Sequence, residues 1–85
     1  MEKKDKYMKS CYQTKDLYLA SFLYASGKKL IKLDEDNEKS WFVFEDKDLC
    51  EQLTGSFWRK EASVNAKEYA DALRTLKDLI FNRSL

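Results

Sequence analysis

The pattern of apolar and polar positions centres on the run Leu17-Tyr-Leu-Ala-Ser-Phe-Leu-Tyr-Ala25, which holds no charged residue in a chain where 36% of residues are charged. Leu17, Ala20, Phe22, Leu23 and Tyr24 fall at every helical angle, so the run predicts a central helix with no face left for water. It is too short to span a bilayer. Thr14 offers a capping hydroxyl at its start and Asp16 a negative charge in its first turn, where the helix dipole favours one. Gly27 is suited to the left-handed conformation that closes a helix.

The pattern then shortens its period. Lys28 to Leu33 predicts a strand with Leu30, Ile31 and Leu33 available to the core. Asp34 to Lys39 predicts a polar turn, and Ser40-Trp-Phe-Val-Phe-Glu45 a second strand of aromatic and branched residues. The two make a hairpin. Asp46 or Asp48 caps a second helix with Leu49, Cys50, Leu53 and Phe57 on one stripe, ending near Trp58 to Lys60. Gly55 weakens that helix by about 1 kcal/mol relative to Ala. Ala62-Ser-Val64 suits an extended link or an edge strand, and Asn65-Ala-Lys-Glu68 is a capping box with Asn in place of Ser or Thr. The last helix, Ala66 to Asn82, carries Tyr69, Ala72, Leu73, Leu76 and Ile80 on its apolar stripe.

These elements predict an α+β fold: one small domain over residues 12–85, in which an antiparallel hairpin, with room for a third short strand, packs with three helices in the order α-β-β-α-(β)-α. Residues 1–11 are expected to form a flexible basic arm. The expected core is Leu17, Ala20, Phe22, Leu23, Phe42, Phe44, Leu53, Leu73, Leu76 and Ile80. With 85 residues the chain supports a single core of modest stability.

Charge changes the picture by its placement. Sixteen basic residues nearly cancel fifteen acidic ones, so no whole-molecule field draws the protein to nucleic acid or membrane. Yet eight Lys lie in residues 1–33, and eight of the nineteen residues from 34 to 52 are acidic. The molecule is expected to be electrically polar. Cys11 and Cys50 lack the spacing of a zinc or redox motif and are expected to be free thiols. The basic start is followed by the polar stretch Cys11 to Asp16 rather than a signal-peptide core, which predicts a cytoplasmic location.

Catalytic chemistry finds few carriers. Histidine is absent, and with it the commonest proton-transfer group near neutral pH. Gly27 and Gly55 stand alone, so there is no phosphate loop, and neither Cys has a histidine to activate it. The expectation is a protein that is not an enzyme and holds no cofactor or metal. Asp34, Asp36, Glu38 and Glu45 match positions one, three, five and twelve of a calcium loop, but Lys39 stands where that loop turns on glycine. A solvated hairpin tip fits those acids better.

Binding residues are easier to find. Trp58-Arg59-Lys60 places a stacking ring beside two cations, the pairing that takes a base and its phosphates, and Lys28, Lys29 and Lys32 extend the basic set. A structural reading competes: Phe57 and Trp58 close the core while Arg59 and Lys60 serve the helix end. A protein partner, or a second copy, is the alternative. It would use Trp41 and Val43 if Phe42 and Phe44 face inward, or the acidic turn of Asp34, Asp36 and Glu38, which with Asp46, Asp48 and Glu51 could imitate a row of phosphates. The sequence thus predicts a non-catalytic binding module, with nucleic acid ahead of protein as its partner.

The motif Tyr12-x-Thr14-x-Asp16-Leu-Tyr-Leu-Ala-Ser-Phe-Leu23, followed by Phe42-x-Phe44, Phe57-Trp58, Val64-Asn-Ala and Tyr69-Ala-Asp-Ala-Leu-x-x-Leu-Lys-Asp-Leu-Ile80, resembles a family of small bacterial and phage domains of unknown function. The resemblance covers roughly Tyr12 to Phe81. It implies a bacterial or phage setting and no mechanism. Where that family carries a Trp-Asn-Gly turn, this chain has Trp58-Arg59-Lys60.

Overall fold

A computed structural model of the chain describes residues 10–36 and 39–82. Six elements follow in order: β1 (Cys11–Thr14), α1 (Leu17–Ala25), β2 (Leu30–Asp36), β3 (Lys39–Glu45), α2 (Lys47–Trp58) and α3 (Ala66–Asn82). The three strands form one antiparallel sheet in the order β1-β3-β2, and the hairpin of β2 and β3 and the three helices stand as the sequence predicts. The third strand comes from Cys11–Thr14 instead of the Ala62–Val64 stretch, which is a link between α2 and α3. Its pairing explains this: Tyr12 lies opposite Phe44 and Thr14 opposite Phe42, so the strand places side chains over the two most buried rings of the core.

That pairing also moves the start of α1. Thr14 belongs to β1, and its Oγ1 accepts a hydrogen bond from the Asp16 backbone N–H at 3.1 Å. Asp16 is the cap itself, its Oδ1 accepting from the N–H groups of Tyr18 at 2.9 Å and Leu19 at 3.1 Å. Satisfying two orphan donors with one carboxylate is worth about 1 kcal/mol. The hairpin runs further than its polarity suggests. Asp34, Glu35 and Asp36 lie opposite Trp41, Ser40 and Lys39, because backbone pairing does not require apolar side chains. Residues 1–9, where most of the predicted arm lies, and the hairpin tip with Glu38 fall outside the described residues.

One face of the sheet carries the core. Leu19, Ala20, Phe22 and Leu23 of α1 meet Phe42 and Phe44 of β3, Cys50 of α2 and Leu76 of α3, with Leu30, Leu33, Leu53, Phe57 and Ile80 packed around them. Leu73, expected in this core, is only half-buried, and Ala72 takes the buried place beside Leu76. The central helix is not closed on every side either: Tyr18 is 60% exposed and Tyr24 39%. Both rings are amphipathic, so their edges reach water while the residues between them are buried.

Two helices end in the same way. At the end of α1 the N–H of Gly27 bonds the Tyr24 carbonyl at 3.0 Å and the N–H of Lys28 bonds the Leu23 carbonyl at 3.0 Å. At the end of α2 the N–H of Lys60 bonds the Phe57 carbonyl at 3.1 Å and the N–H of Glu61 bonds the Ser56 carbonyl at 2.9 Å. Each is a Schellman motif, which satisfies two terminal carbonyls by turning one residue left-handed. Gly27 takes that position in α1 with φ 94° and Lys60 takes it in α2 with φ 61°.

Candidate functional site

Helix α2 separates the residues that the sequence grouped as one basic surface. Its twelve residues rise about 18 Å from end to end. Lys28 lies at the start, where its Nζ stands 3.8 Å from Asp46 Oδ2, and Trp58, Arg59 and Lys60 lie at the finish. Lys32 belongs to neither place. It sits opposite Val43 on β3, on the sheet face away from Phe42 and Phe44.

The first end of α2 borders an open groove of about 950 Å³ whose lining includes Cys11, Lys28, Lys29, Ile31, Asp46 and Asp48. Its charges balance. Lys28, Lys29 and Lys47 face Glu45, Asp46 and Asp48 across the same space, so the groove offers no net positive field to a phosphate backbone. Asp46 adopts φ 73° and its Oδ1 accepts a 3.4 Å contact from the Leu49 N–H, so this carboxylate serves as both cap and ion-pair partner. Beneath it Cys50 is fully buried and its Sγ donates to the Glu45 carbonyl at 3.5 Å. Burial pushes the Cys50 thiol up to about 11 against a smaller opposing pull from Lys28; the group is therefore a protonated, packed thiol at neutral pH. Cys11 and Cys50 are both free.

The far end of α2 is built differently. Phe57 packs its ring against Phe22 of α1 at a centroid distance of 5.4 Å, and Trp58 meets Phe57 edge-on at 5.1 Å with the planes 78° apart. Trp58 is nonetheless 60% exposed. The ring is held against Phe57 at the margin of the core while the residue is largely open to solvent, which leaves aromatic surface for stacking. Arg59 Nε donates to Glu61 Oε1 at 2.9 Å in an exposed pair, an interaction worth at most about 1 kcal/mol and easily exchanged. Lys60 is exposed and left-handed.

Tyr18 adds a second open ring that the sequence concealed. It lies four residues before Phe22 on α1 and so on the same helix face, and its carbonyl accepts a hydrogen bond from the Tyr69 hydroxyl at 3.3 Å. Burial, and then the neighbouring Tyr18 and Asp16, raise the Tyr69 phenol above its ordinary range. The charge-free run predicted a helix with no face for water, and Tyr18, at the N-terminal end of α1, departs from that.

The residues proposed for a protein partner scatter. Val43 is fully buried between Gln13 and Lys32 on the two neighbouring strands, so the expected Trp41–Val43 surface patch does not exist. Central-strand position is the cause, since β3 is flanked on both sides. Trp41 is half-buried, with Lys15 Nζ 5.3 Å from its ring centroid. Asp34 lies opposite Trp41, and Asp36 pairs through its backbone register with Lys39, while Glu38 lies outside the described residues.

Among the described residues no helix is long and apolar enough to cross a membrane. No curated protein and no solved structure matches the chain. One family does match, a domain of unknown function (DUF5659), over residues 9–82. That span runs from the residue before Ser10 to the last residue of α3, the whole of the sheet and its helices. The chain belongs to this family of unknown function, DUF5659.

Proposed function

We propose that the protein is a non-catalytic binding module that takes single-stranded nucleic acid at the Trp58 corner, in the cytoplasm of a bacterial or phage setting. The exposure of a Trp ring held in contact with Phe57 carries this reading. A nucleotide base stacks on the open face, and Arg59 and Lys60 meet the phosphates on either side of it. Lys60 adds support of a different kind. A left-handed Lys costs about 1 kcal/mol that glycine would not, and strain of this kind gathers at positions kept for contact.

The separation of Lys28 from Trp58 limits the footprint. Two cations imply release of about two counterions, a slope of roughly −1.4 in the logarithm of affinity against that of salt for a single strand. The contact is therefore short, and the single strand is preferred over duplex because a paired base offers no free face.

Fluorescence anisotropy of labelled single-stranded DNA, RNA and duplex DNA, at low and near-physiological salt, tests it. Trp58→Ala should weaken single-strand binding by about 1–3 kcal/mol, roughly five- to 150-fold, and Arg59→Ala with Lys60→Ala should flatten the salt slope. Absence of binding to every probe at low salt, or binding indifferent to Trp58→Ala, overturns the assignment and turns the exposed ring toward a protein partner.

A further inference from the structure

The two edges of the sheet are unlike. β1 is four residues long, and the chain just before it is tied to α2 by the Lys47 N–H donating to the Ser10 carbonyl at 3.1 Å. β2 is seven residues long, and among the described residues no strand pairs with the side of it turned away from β3. Such an edge presents a row of backbone donors and acceptors to any strand of suitable pattern. The charges along β2 restrict which strand that is.

Lys32 and Asp34 stand on either side of Leu33, on the sheet face away from the core, while Leu33 packs toward the core cluster. We infer that β2 pairs antiparallel with β2 of a second copy of this chain, about a two-fold axis through Leu33, joining two sheets into one of six strands. In that register Lys32 lies opposite Asp34 of the second copy, and Asp34 opposite its Lys32, so both outer-face pairs attract. The neighbouring registers that preserve the faces do not. An axis through Lys32 sets Lys against Lys, and one through Asp34 sets Asp against Asp; like charges directly opposite are destabilising. The axis through Asp34 also brings Lys32 opposite Asp36, but only the axis through Leu33 sets no like charges opposite each other.

The apolar side agrees. Leu33 is half-buried in one copy and meets Leu33 of the other across the axis. The bulge between Leu30 and Lys32 ends the pairing on each side, with the 42% exposed Ile31 lying beside the joined edge. The interface is short, so the dimer is weak and concentration-dependent. It is independent of the Trp58 corner, which stands on another element.

Sedimentation equilibrium of the full chain from about 10 μM to about 1 mM reads this directly. The wild type should pass from monomer to dimer. Lys32→Glu or Asp34→Lys alone should weaken the dimer by about tenfold or more, and the two together should restore it to within about threefold, because the swap rebuilds both attractive pairs. The double variant separates a lost contact from a damaged fold. A monomer at every concentration, a dimer insensitive to either reversal, or single losses that the double swap fails to rescue would each overturn the inference, and the first would leave the edge to a strand of a different protein.

Discussion

Helices α1 and α2 close with the same pair of backbone hydrogen bonds, yet Gly27 turns the first and Lys60 the second. Nothing lies within 4 Å of where a Cβ on Gly27 would stand, so space is not what selects glycine there. Its φ of 94° is. The same argument should place glycine at residue 60, and the chain departs from it. The end of α1 leads into a strand whose register depends on it, through the Glu45 N–H bond to the Lys29 carbonyl at 3.1 Å. The end of α2 leads into an irregular link and displays Trp58. The difference teaches that glycine closes the turn on which a strand register depends, while a left-handed Lys closes the turn beside the exposed Trp58 ring.

Substitutions can break this comparison at its strongest point. Phe57→Ala removes the contact to Phe22 and the support beneath Trp58, and should cost about 3 kcal/mol in urea unfolding. Trp58→Ala, one residue on, should change stability by less than about 1 kcal/mol. A comparable loss for both would mean that Trp58 belongs to the core after all.

Smaller effects sharpen it. Asp46→Ala deletes the α2 cap and the Lys28 ion pair and leaves a Cβ at φ 73° without its capping side chain, for a loss of about 1–2 kcal/mol. Gly27→Ala should lower stability by about 1 kcal/mol through its backbone alone. Lys60→Gly should move the other way, by up to about 1 kcal/mol. If glycine at 60 stabilises the protein but leaves single-strand affinity untouched, neither the Lys60 charge nor the strain has a part in binding.

The gentlest perturbation is pH. Cys50 titrates near 9.0 when unperturbed and is pushed up to about 11 by burial. A raised folded value means that the folded protein binds more protons than the unfolded chain between those limits, so stability is full below about pH 9 and falls as pH rises toward about 11. Chemical denaturation across that window should show the decline, and Cys50→Ala should flatten it. A slope unchanged in the variant would assign the alkaline loss elsewhere, with the raised Tyr69 next in line.

Local pattern carried much of the fold. The span of α3, the hairpin, the start of α2 at Asp46 and the closing role of Gly27 each follow from a few adjacent residues whose preferences agree. The candidate site was legible in part for the same reason, since Trp58, Arg59 and Lys60 are neighbours in sequence and stay so in space. What adjacency could not supply was partnership across the chain. Cys11–Thr14 shows little apolar period, and it is a strand because β3 offers it an edge between Phe42 and Glu45. Val43 looks like an outward-facing residue, and it is buried because strands lie on both sides of it. Tyr18 lies in the charge-free run predicted to have no face for water, and it is open at the N-terminal end of α1, just before the buried stretch Leu19 to Leu23. Lys28, Lys32 and Trp58 read as one surface until α2 and the sheet set them apart. The sequence by itself determined the three helices and the hairpin, because those choices rest on contacts within a few residues. Only the tertiary structure decided which faces meet water and which charges meet each other, because those depend on segments that approach from opposite ends of the chain.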